Sequence, residues 1–415
     1  MNVSSRARRP MGLDGLRQRR HRPDYWLVLL SVLLLTLGLI VVYAISPGLS
    51  VQKHVGENYY INKQLIAVGL GILGFIVVAH LPLHWWRRLE KPLLIAAGVA
   101  AVAVRLFGER VNGAYRWIQV GGLSFQAAEL IKFALLIWLA GFLTDRLRSG
   151  ELEDYHKTLR PLLIALGVVA LTIGGLESDL GSSGVAVAIM AAMVFIVGLP
   201  LRRLALITGA VLIGGMLLIV GSSYRQDRLT TFLNPTQDCQ NTGYQACQAL
   251  ITVGSGGMFG KGLGRGVQAY GYLPEAANDS IFAIFAEKFG FVGTAVLLGL
   301  FMAFFARLKR IMERAPDTYS RLLIAGILAW LSTQAIINIG AMIGLLPLKG
   351  ITLPFVSYGG TSVLFVTVAI GIAFQVSRYT TYQVASNTVK EGDNYDGDSN
   401  RRGFRGAYHP TPSGR

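Results

Sequence analysis

The chain has 415 residues, of which 52% are hydrophobic and only 15% are charged, and its mean hydropathy is +0.48. A soluble chain carries about 25% charged residues, so this deficit argues against a water-soluble protein and favours helices that lie in a bilayer. The same composition excludes a disordered, collagen-like or disulfide-scaffold protein.

Ten apolar segments follow one another along the chain, at lengths suited to a hydrocarbon core of roughly 30 Å. They cover residues 25–46, 64–80, 92–107, 127–144, 161–176, 184–200, 204–221, 281–306, 322–344 and 363–377. We therefore predict an all-α membrane protein, a polytopic bundle of ten transmembrane helices. Residues 222–280 are predicted to form one large extracytoplasmic loop.

The net charge of +16 resembles a nucleic-acid-binding signal, but its placement indicates topology instead. Of 39 Lys and Arg residues, 27 lie in the two tails and in alternate connections between the apolar segments. The positive-inside rule places those segments, and both termini, in the cytoplasm. We predict a basic cytoplasmic tail at 1–24, a membrane domain at 25–378 and a disordered cytoplasmic tail at 379–415.

The two cysteines of the chain, Cys239 and Cys247, both fall in the 222–280 loop. That loop faces an oxidising compartment in the predicted topology, and a separation of eight residues closes easily, so we predict a disulfide. Two cysteines and one outward histidine, His54, provide no zinc-type ligand spacing.

Ionisable residues gather in the segments predicted to face outward. Glu129 and Lys132 lie three residues apart on one helical face, where they form either a structural ion pair or part of a functional site. Asp179 occupies a very short connection, where it either caps the following helix or takes part in the site.

The glycine-rich run at 254–264 lacks the spacing of a Walker loop, so it predicts a re-entrant or tightly turned loop lying against helices. Just beyond it, Glu275 and Asp279 bring two carboxylates to the outer mouth of the eighth apolar segment. Asp279 is either a plain helix cap or a partly desolvated general base with a raised pKa.

Four motifs resemble the SEDS family, the FtsW and RodA group of bacterial cell-wall glycosyltransferases, and the similarity covers roughly residues 25–378. They are Asn112–Trp117, Tyr244–Gln248 followed by Gly254–Gly257, Leu273–Glu275 and Pro354–Gly360. The resemblance implies an inner-membrane enzyme that polymerises lipid II, the undecaprenyl-pyrophosphate-linked disaccharide peptide, into peptidoglycan strands. It also implies a class B penicillin-binding protein, a transpeptidase with one transmembrane helix, as partner.

The resemblance assigns the presumed catalytic base to Asp279. The family usually has His-Thr before this acid and Phe after it, where this chain has Ala277, Asn278 and Ser280. Lys349, in the Leu346–Gly350 motif, resembles the division branch, FtsW. We therefore expect a location at the division septum, among other membrane proteins of the division complex.

Glycan polymerisation needs a base for a sugar 4-hydroxyl and positive charge for a departing pyrophosphate. We expect Asp279 to be the base, with a divalent cation, Mg or Mn, as a possible cofactor. The predicted substrate-binding residues are Arg116, Glu129, Lys132, Asp179, Arg228, Tyr244, Gln248, Glu275, Lys349, Ser357 and Tyr358. Each cation alternatively anchors a loop.

Two other functions fit a polytopic chain of this kind: a lipid II flippase and a non-catalytic scaffold for a division transpeptidase. A flippase needs polar residues that continue to the cytoplasmic side, and the inner halves of the predicted helices carry almost none. A scaffold does not require an acid at the lipid boundary.

Overall fold

The structure, a computed structural model, describes residues 18–20, 22–111, 114–120, 123–177, 179–221, 223–233, 239–241 and 243–381. Over these ranges the chain is a bundle of helices with two small antiparallel sheets. The predicted helical class is confirmed. The rest of the predicted tails, before residue 18 and after residue 381, lies outside the described residues.

The first seven helices follow the predicted apolar segments. They are α1 (Tyr25–Gln52), α2 (Tyr59–His80), α3 (His84–Phe107), α4 (Ala127–Ser149), α5 (Arg160–Val169), α6 (Leu180–Val197) and α7 (Leu201–Val220). Wider π-helical turns extend α5 on both sides, at Tyr155–Leu159 and Ala170–Leu176.

The remaining helices are α8 (Ser223–Leu233), α9 (Tyr244–Ser255), α10 (Ile281–Glu313), α11 (Thr318–Met342) and α12 (Gly360–Val376). The predicted 222–280 loop thus contains two helices, α8 and α9. Within the described ranges, seven helical segments are long and apolar enough to cross a membrane: α1, α2, α4, the segment Tyr155–Leu176, α6, α10 and α11. The chain is a multi-pass membrane protein, while the count of ten spans and their orientation stay predictions.

A three-stranded antiparallel sheet joins α3 to α4, where the sequence predicted only a connection. Its strands are β2 (Glu109–Val111), β3 (Ala114–Val120) and β4 (Leu123–Gln126), in the order β2-β3-β4. The Thr361 hydroxyl at the start of α12 donates to the Ser124 carbonyl (2.7 Å) and accepts from the Gln126 amide (3.2 Å). The sheet therefore stands over one end of the bundle.

The second sheet pairs β1 (Gln18–Arg20) with β5 (Tyr379–Thr381). Both strands lie in segments that were predicted to belong to the tails. Regular secondary structure therefore continues a few residues beyond the predicted domain boundary at 378. The pairing arises because α1 begins beside the end of α12, where the Asp24 amide donates to the Ser377 hydroxyl at 3.0 Å. We call this end of the bundle the tail end.

The predicted glycine-rich turn lies against a break in α10 at Gly290, whose φ of 66° and ψ of −164° are not helical. The amides of Lys261 and Gly262 donate to the carbonyls of Glu287 and Lys288, at 2.9 and 3.0 Å. A Cβ on Gly290 would overlap the Gly260 backbone, so the two segments approach this closely only with glycine at the contact.

α11 runs through the middle of the bundle and is mostly buried, with Trp330 fully enclosed. α10 begins next to residues 277–280, and α12 begins next to residues 357–360. Both helices end beside β1 and β5. We call the end with residues 277–280 the site end. The sheet over α12 and the turn before α10 therefore meet at the site end.

Candidate functional site

Asp279 is the last residue but one before α10 and lies at the site end with its side chain partly exposed. The N-cap position of α10 belongs to Ser280, so Asp279 does not cap this helix. Asn338 on α11 holds its backbone carbonyl at 2.8 Å and donates also to the Ile351 carbonyl at 2.6 Å. No residue that the structure describes donates a hydrogen bond to the Asp279 carboxylate.

The turn before Asp279 is held by its own hydrogen bonds. Glu275 has a φ of 50°, and its carbonyl accepts from the amides of Asn278 and Ser280. Its carboxylate accepts from Asn278 Nδ2 at 2.8 Å, and the side chain is exposed. The Leu-Pro-Glu motif therefore acts as a fixed turn that sets the position of Asp279.

The 343–359 connection is hydrogen-bonded to this turn. The Ser357 hydroxyl donates to the Asn278 carbonyl at 2.6 Å, and the Tyr358 amide donates to the Ala277 carbonyl at 2.9 Å. Ser357 is buried, so it belongs to the framework and does not face a substrate. The Tyr358 phenol, whose pKa burial raises to about 12, packs edge-on against Tyr60 at 5.3 Å between centroids.

Gly350 stands between the proposed base and a cation, although the sequence analysis did not select it. A Cβ added at Gly350 would lie 3.1 Å from Asp279 Oδ2 and 3.4 Å from Arg116 Nη1. Arg116, on β3, also donates from Nε to the Glu177 carbonyl at 3.2 Å. The missing side chain leaves a gap in which a reacting group can reach both charges.

Two other predicted cations belong to neighbouring elements. Arg228 on α8 donates to the Leu348 carbonyl at 2.9 Å, and its charge lowers the pKa of Asp279. Lys349 follows Leu348, and its Cβ lies 3.1 Å from the position of a Cβ at Gly181, in the first turn of α6. Arg116 and Arg228 are thus the cations whose charges reach Asp279.

Burial, together with the neighbouring charges of Glu275 and Asp179, raises the pKa of Asp279 to about 7, against the opposing effects of Arg116 and Arg228. A carboxyl group with this pKa is partly ionised at neutral pH, where it can accept a proton and later release it. This is the protonation behaviour that general-base catalysis requires.

Glu177 is a second residue that the sequence analysis did not select. Its carboxyl group is buried, and neither oxygen has a hydrogen-bond partner among the described residues. Burial and the charge of Asp179 raise its pKa to about 8, against the opposing effect of Arg116. Since Glu177 is mostly protonated at neutral pH, it does not cancel the charge of Arg116.

Asp179 is the N-cap of α6, which is one of the two readings that the sequence left open. Its Oδ1 accepts from the Ser182 amide at 2.9 Å and its Oδ2 accepts from the Ser182 hydroxyl at 2.7 Å. The side chain is buried, so it contributes to the site through its charge.

Glu129 and Lys132 form a closed ion pair in the core. Lys132 Nζ lies 2.8 Å from Glu129 Oε1, and the two side chains are 1% and 3% exposed. Lys132 also donates to Gln334 Oε1 at 3.3 Å and lies over the Trp330 ring. This placement agrees with the structural reading of the pair, because side chains enclosed in the core do not contact a substrate.

Tyr244 and Gln248 lie one turn apart on α9, at the edge of the site. The Tyr244 hydroxyl donates to the Tyr272 carbonyl at 2.8 Å. Beside them, a cleft of about 520 Å³ opens between α8, α9 and the residues after α11, and Arg228, Gln245 and Leu348 line it. Gln245 also donates to the Ser280 hydroxyl at 3.4 Å, so the cleft adjoins the turn that carries Asp279.

Cys239 and Cys247 form a disulfide in the structure, with Cα atoms 5.6 Å apart. It joins the segment before α9 to the first turn of that helix. The bond therefore fixes the approach to the helix that carries Tyr244 and Gln248.

Among the described residues, no group of three His, Cys, Asp or Glu side chains is arranged to hold a metal ion. Asp279 Oδ2 borders the gap at Gly350, and Glu275 is already bonded to Asn278. The described protein side chains alone therefore do not form a complete ligand set for a metal ion here.

The fold and this site define a multi-pass membrane protein with a carboxylate and several cations gathered at one end. A family model described as "Cell cycle protein", which groups FtsW, RodA and SpoVE, matches residues 25–382. The chain belongs to this family, as the resemblance of its motifs indicated.

Curated relatives extend along nearly all of the chain. A probable peptidoglycan glycosyltransferase FtsW of Hydrogenovibrio crunogenus is 36% identical over 382 residues, 91% of this chain and 97% of the relative. Stage V sporulation protein E of Bacillus subtilis is 36% identical over 368 residues, 88% of this chain and 99% of that protein.

Two solved structures share the fold. A chain from a study of polymerisation and crosslinking by a peptidoglycan synthase complex aligns with a TM-score of 0.68 and 28% identity, covering 86% of this chain and 98% of that one. The rod shape determining protein RodA of Thermus thermophilus aligns with a TM-score of 0.62 and 29% identity, covering 86% and 97%.

Proposed function

We propose that this chain polymerises lipid II into glycan strands at the division septum, with Asp279 as the general base. Peptidoglycan glycosyltransferase activity in cell-wall synthesis is the function of the FtsW relatives, by their names. The substrate, the base and the septal location are the proposal. The observation that carries it is the Asp279 carboxylate, which accepts no hydrogen bond from the described residues and faces Arg116 across the gap at Gly350.

In this mechanism, Asp279 removes the proton from a sugar 4-hydroxyl as the oxygen attacks the anomeric carbon of a second lipid-linked sugar. The bond from that carbon to the pyrophosphate oxygen breaks, and the lipid pyrophosphate leaves with the bonding electrons. Arg116, Arg228 and Lys349 stabilise the negative charge that develops on it. The proton on Asp279 is then released to solvent.

We also propose that a divalent cation assists the departing pyrophosphate. Mg²⁺ is commonly held by one or two carboxylates together with substrate phosphates, so its ligands need not be complete in the protein alone. Glu275, an exposed acid close enough to raise the pKa of Asp279, would hold the cation together with substrate phosphate oxygens, which leaves Asp279 free as the base. Polymerisation measured in EDTA and after return of Mg²⁺ or Mn²⁺ tests this, and unchanged rates in EDTA would contradict it.

We propose a single-pass transpeptidase, a class B penicillin-binding protein, as the partner, on the surface of α10 after its break. Phe291, Val292, Val296 and Met302 are exposed on this segment, and Gly299 has open space at its Cβ position. Small residues and close packing drive helix association in lipid. α11 is mostly buried in the bundle, so it offers less surface to a partner helix.

Purified protein supplied with lipid II, with and without the transpeptidase, tests the proposed function through the appearance of glycan polymer. Wild-type protein is expected to form polymer, and the Asp279→Asn variant is expected to form very little. Polymer from neither, together with movement of lipid II across a vesicle bilayer, would indicate a flippase instead. Transpeptidase activation by both variants without any polymer would indicate a scaffold.

A further inference from the structure

The tail end of the bundle contains a second cavity, far from Asp279, that the proposed reaction does not use. It has a volume of about 720 Å³, including its open mouth, and lies where α1 begins and α10 and α12 end. Four arginines line it: Arg22 before α1, and Arg307, Arg310 and Arg314 on α10. Ser377 and Tyr379 add hydroxyl groups.

The charge of this cavity is strongly unbalanced. Asp24 is the acid among its lining residues, against four guanidinium groups. Its Oδ1 accepts from the Leu27 amide at 3.2 Å, as the N-cap of α1, and its Oδ2 lies 3.5 Å from Arg307. One carboxylate that already holds a helix end cannot neutralise Arg307, Arg310 and Arg314 together, so the cavity has a positive potential that its concave shape concentrates.

Arg307, Arg310 and Arg314 lie close together at the end of α10. Arg307 and Arg310 are three residues apart on the helix, and Arg314 follows four residues later as its C-cap. Like charges at these spacings repel one another. An anion between the guanidinium groups would turn this repulsion into charge-assisted hydrogen bonds.

The cavity also lies at the level of a membrane surface. Tyr25 and Trp26 are exposed at the start of α1, a residue or two after Asp24. The Arg307 guanidinium lies over the Trp26 ring at 5.7 Å. Exposed tyrosine and tryptophan at the end of an apolar helix are typical of the interface between lipid tails and headgroups.

We propose that this tail-end cavity binds the phosphate of an anionic phospholipid from the adjoining leaflet. The arginines provide the donors for the headgroup phosphate, and the interfacial position brings the acyl chains beside the apolar surfaces of α1 and α10. Basic cavities between transmembrane helices bind lipid headgroups in this manner. The topology predicted from the sequence makes this the cytoplasmic leaflet.

The test measures lipid retained by full-length protein. Protein is purified in detergent, incubated with cardiolipin, phosphatidylglycerol or phosphatidylcholine, and examined by native mass spectrometry. The test variant carries Arg310→Gln and Arg314→Gln. The matched control carries Arg148→Gln and Arg321→Gln, which remove the same charge from exposed positions near the tail end but outside the cavity.

We expect wild type and control to retain anionic lipid in preference to phosphatidylcholine, and the test variant to bind it roughly 30-fold more weakly, as two arginines near an anionic surface imply. An Arg310→Lys, Arg314→Lys variant, which keeps the charge but loses the forked donors, should fall in between. Thermal unfolding of each variant in detergent checks that it is folded.

Equal retention by test and control variants would overturn the proposal. Displacement of the lipid by millimolar inorganic phosphate would assign the cavity to a soluble anion instead. Preference for lipid II over phosphatidylglycerol would assign it to the substrate, and this would also overturn the phospholipid assignment. Each result leaves the role of Asp279 untouched, because the cavity lies at the opposite end of α10.

Discussion

Asp179 and Asp279 occupy the same kind of position in the sequence, each in a connection directly before an apolar helix, yet the structure gives them opposite surroundings. Asp179 is buried and accepts two hydrogen bonds from Ser182 as the cap of α6. Asp279 does not cap α10, because Ser280 occupies the N-cap position, and its carboxylate is partly exposed.

The difference shows how a fold can reserve one carboxylate for chemistry and use another for structure. A poorly solvated carboxylate without donors has a raised pKa, as Asp279 does, whereas the Asp179 carboxylate holds a helix end. The turn at 273–280 leaves Asp279 without donors, because it fixes the backbone of Asp279 through Asn338 and directs the side chain to the gap at Gly350.

The largest expected effect comes from Asp279→Asn. The amide keeps the size of the carboxyl group but cannot accept the proton, so polymerisation of lipid II should fall at least about a hundredfold, the low end of the effect of losing a general base. Asp317→Asn, at the N-cap of α11, is the matched control, since asparagine caps a helix as well as aspartate does. Rates of glycan synthesis from lipid II measure both, and near-normal polymer from Asp279→Asn would remove it as the base.

Gly350→Ala should have the next largest effect. The added methyl group would lie between Asp279 Oδ2 and Arg116 Nη1, at 3.1 and 3.4 Å, without reaching the core. We expect a roughly tenfold loss of polymerisation, below the roughly hundredfold that a 1 Å misplacement can cause. Gly98→Ala, at an open position on α3, is the control. Equal activity of the two variants would show that the gap is not where the sugars react.

Asp179→Ala should lower stability. Loss of a helix cap costs about 1 kcal/mol in the free energy of unfolding, while Asp179→Asn should cost only a few tenths. Thermal unfolding in detergent, followed by intrinsic fluorescence, compares the two variants with wild type. If both variants unfold alike, the cap does not stabilise α6.

The final prediction concerns pH. The pKa of Asp279 is about 7, so the polymerisation rate should rise with pH through that value and level off above it. The Asp179 charge raises this pKa, so Asp179→Asn should move the rise to lower pH. An unchanged pH profile in that variant would show that the two carboxylates are not coupled.

Stability should follow pH in the opposite sense. A carboxyl group with a raised pKa binds its proton more tightly in the folded state than in the unfolded state. The contribution of Asp279 to the free energy of unfolding is therefore fully present below about pH 4 and is lost as pH rises through about 7. Asp279→Asn removes this loss, so the variant should unfold at a higher temperature than wild type at pH 8. Identical melting temperatures at pH 8 would contradict the raised pKa.

The sequence predicted the helices well because lipid imposes a strict length and polarity on a spanning segment. Each of the ten predicted segments overlaps a helix in the structure. It did not predict the sheet at Glu109–Gln126, whose pairing partners are set by the hairpin geometry and by Thr361, 235 residues away from Gln126.

The candidate site was predicted in part. Arg116 and Arg228 were selected as cations of segments predicted to face outward, and both lie close enough to Asp279 to lower its pKa. Gly350 and Glu177 were missed, since a glycine matters here only through the space that it leaves, and a buried acid looks like any other acid in a sequence. Glu129 and Lys132 looked like site residues in the sequence. Their burial depends on packing against Trp330 and Gln334, which a sequence alone does not show.

The glycine-rich turn contacts α10 through its backbone. This contact constrains the length of the turn as well as its composition. Gly260 faces Gly290, and the pairing of Lys261 and Gly262 with Glu287 and Lys288 sets which residues meet. Removing or adding one residue between 257 and 260 would carry a side chain into the contact with Gly290. Surface loops ordinarily tolerate such changes in length; this one should resist them, so inherited variation in the turn should consist of substitutions at its exposed positions.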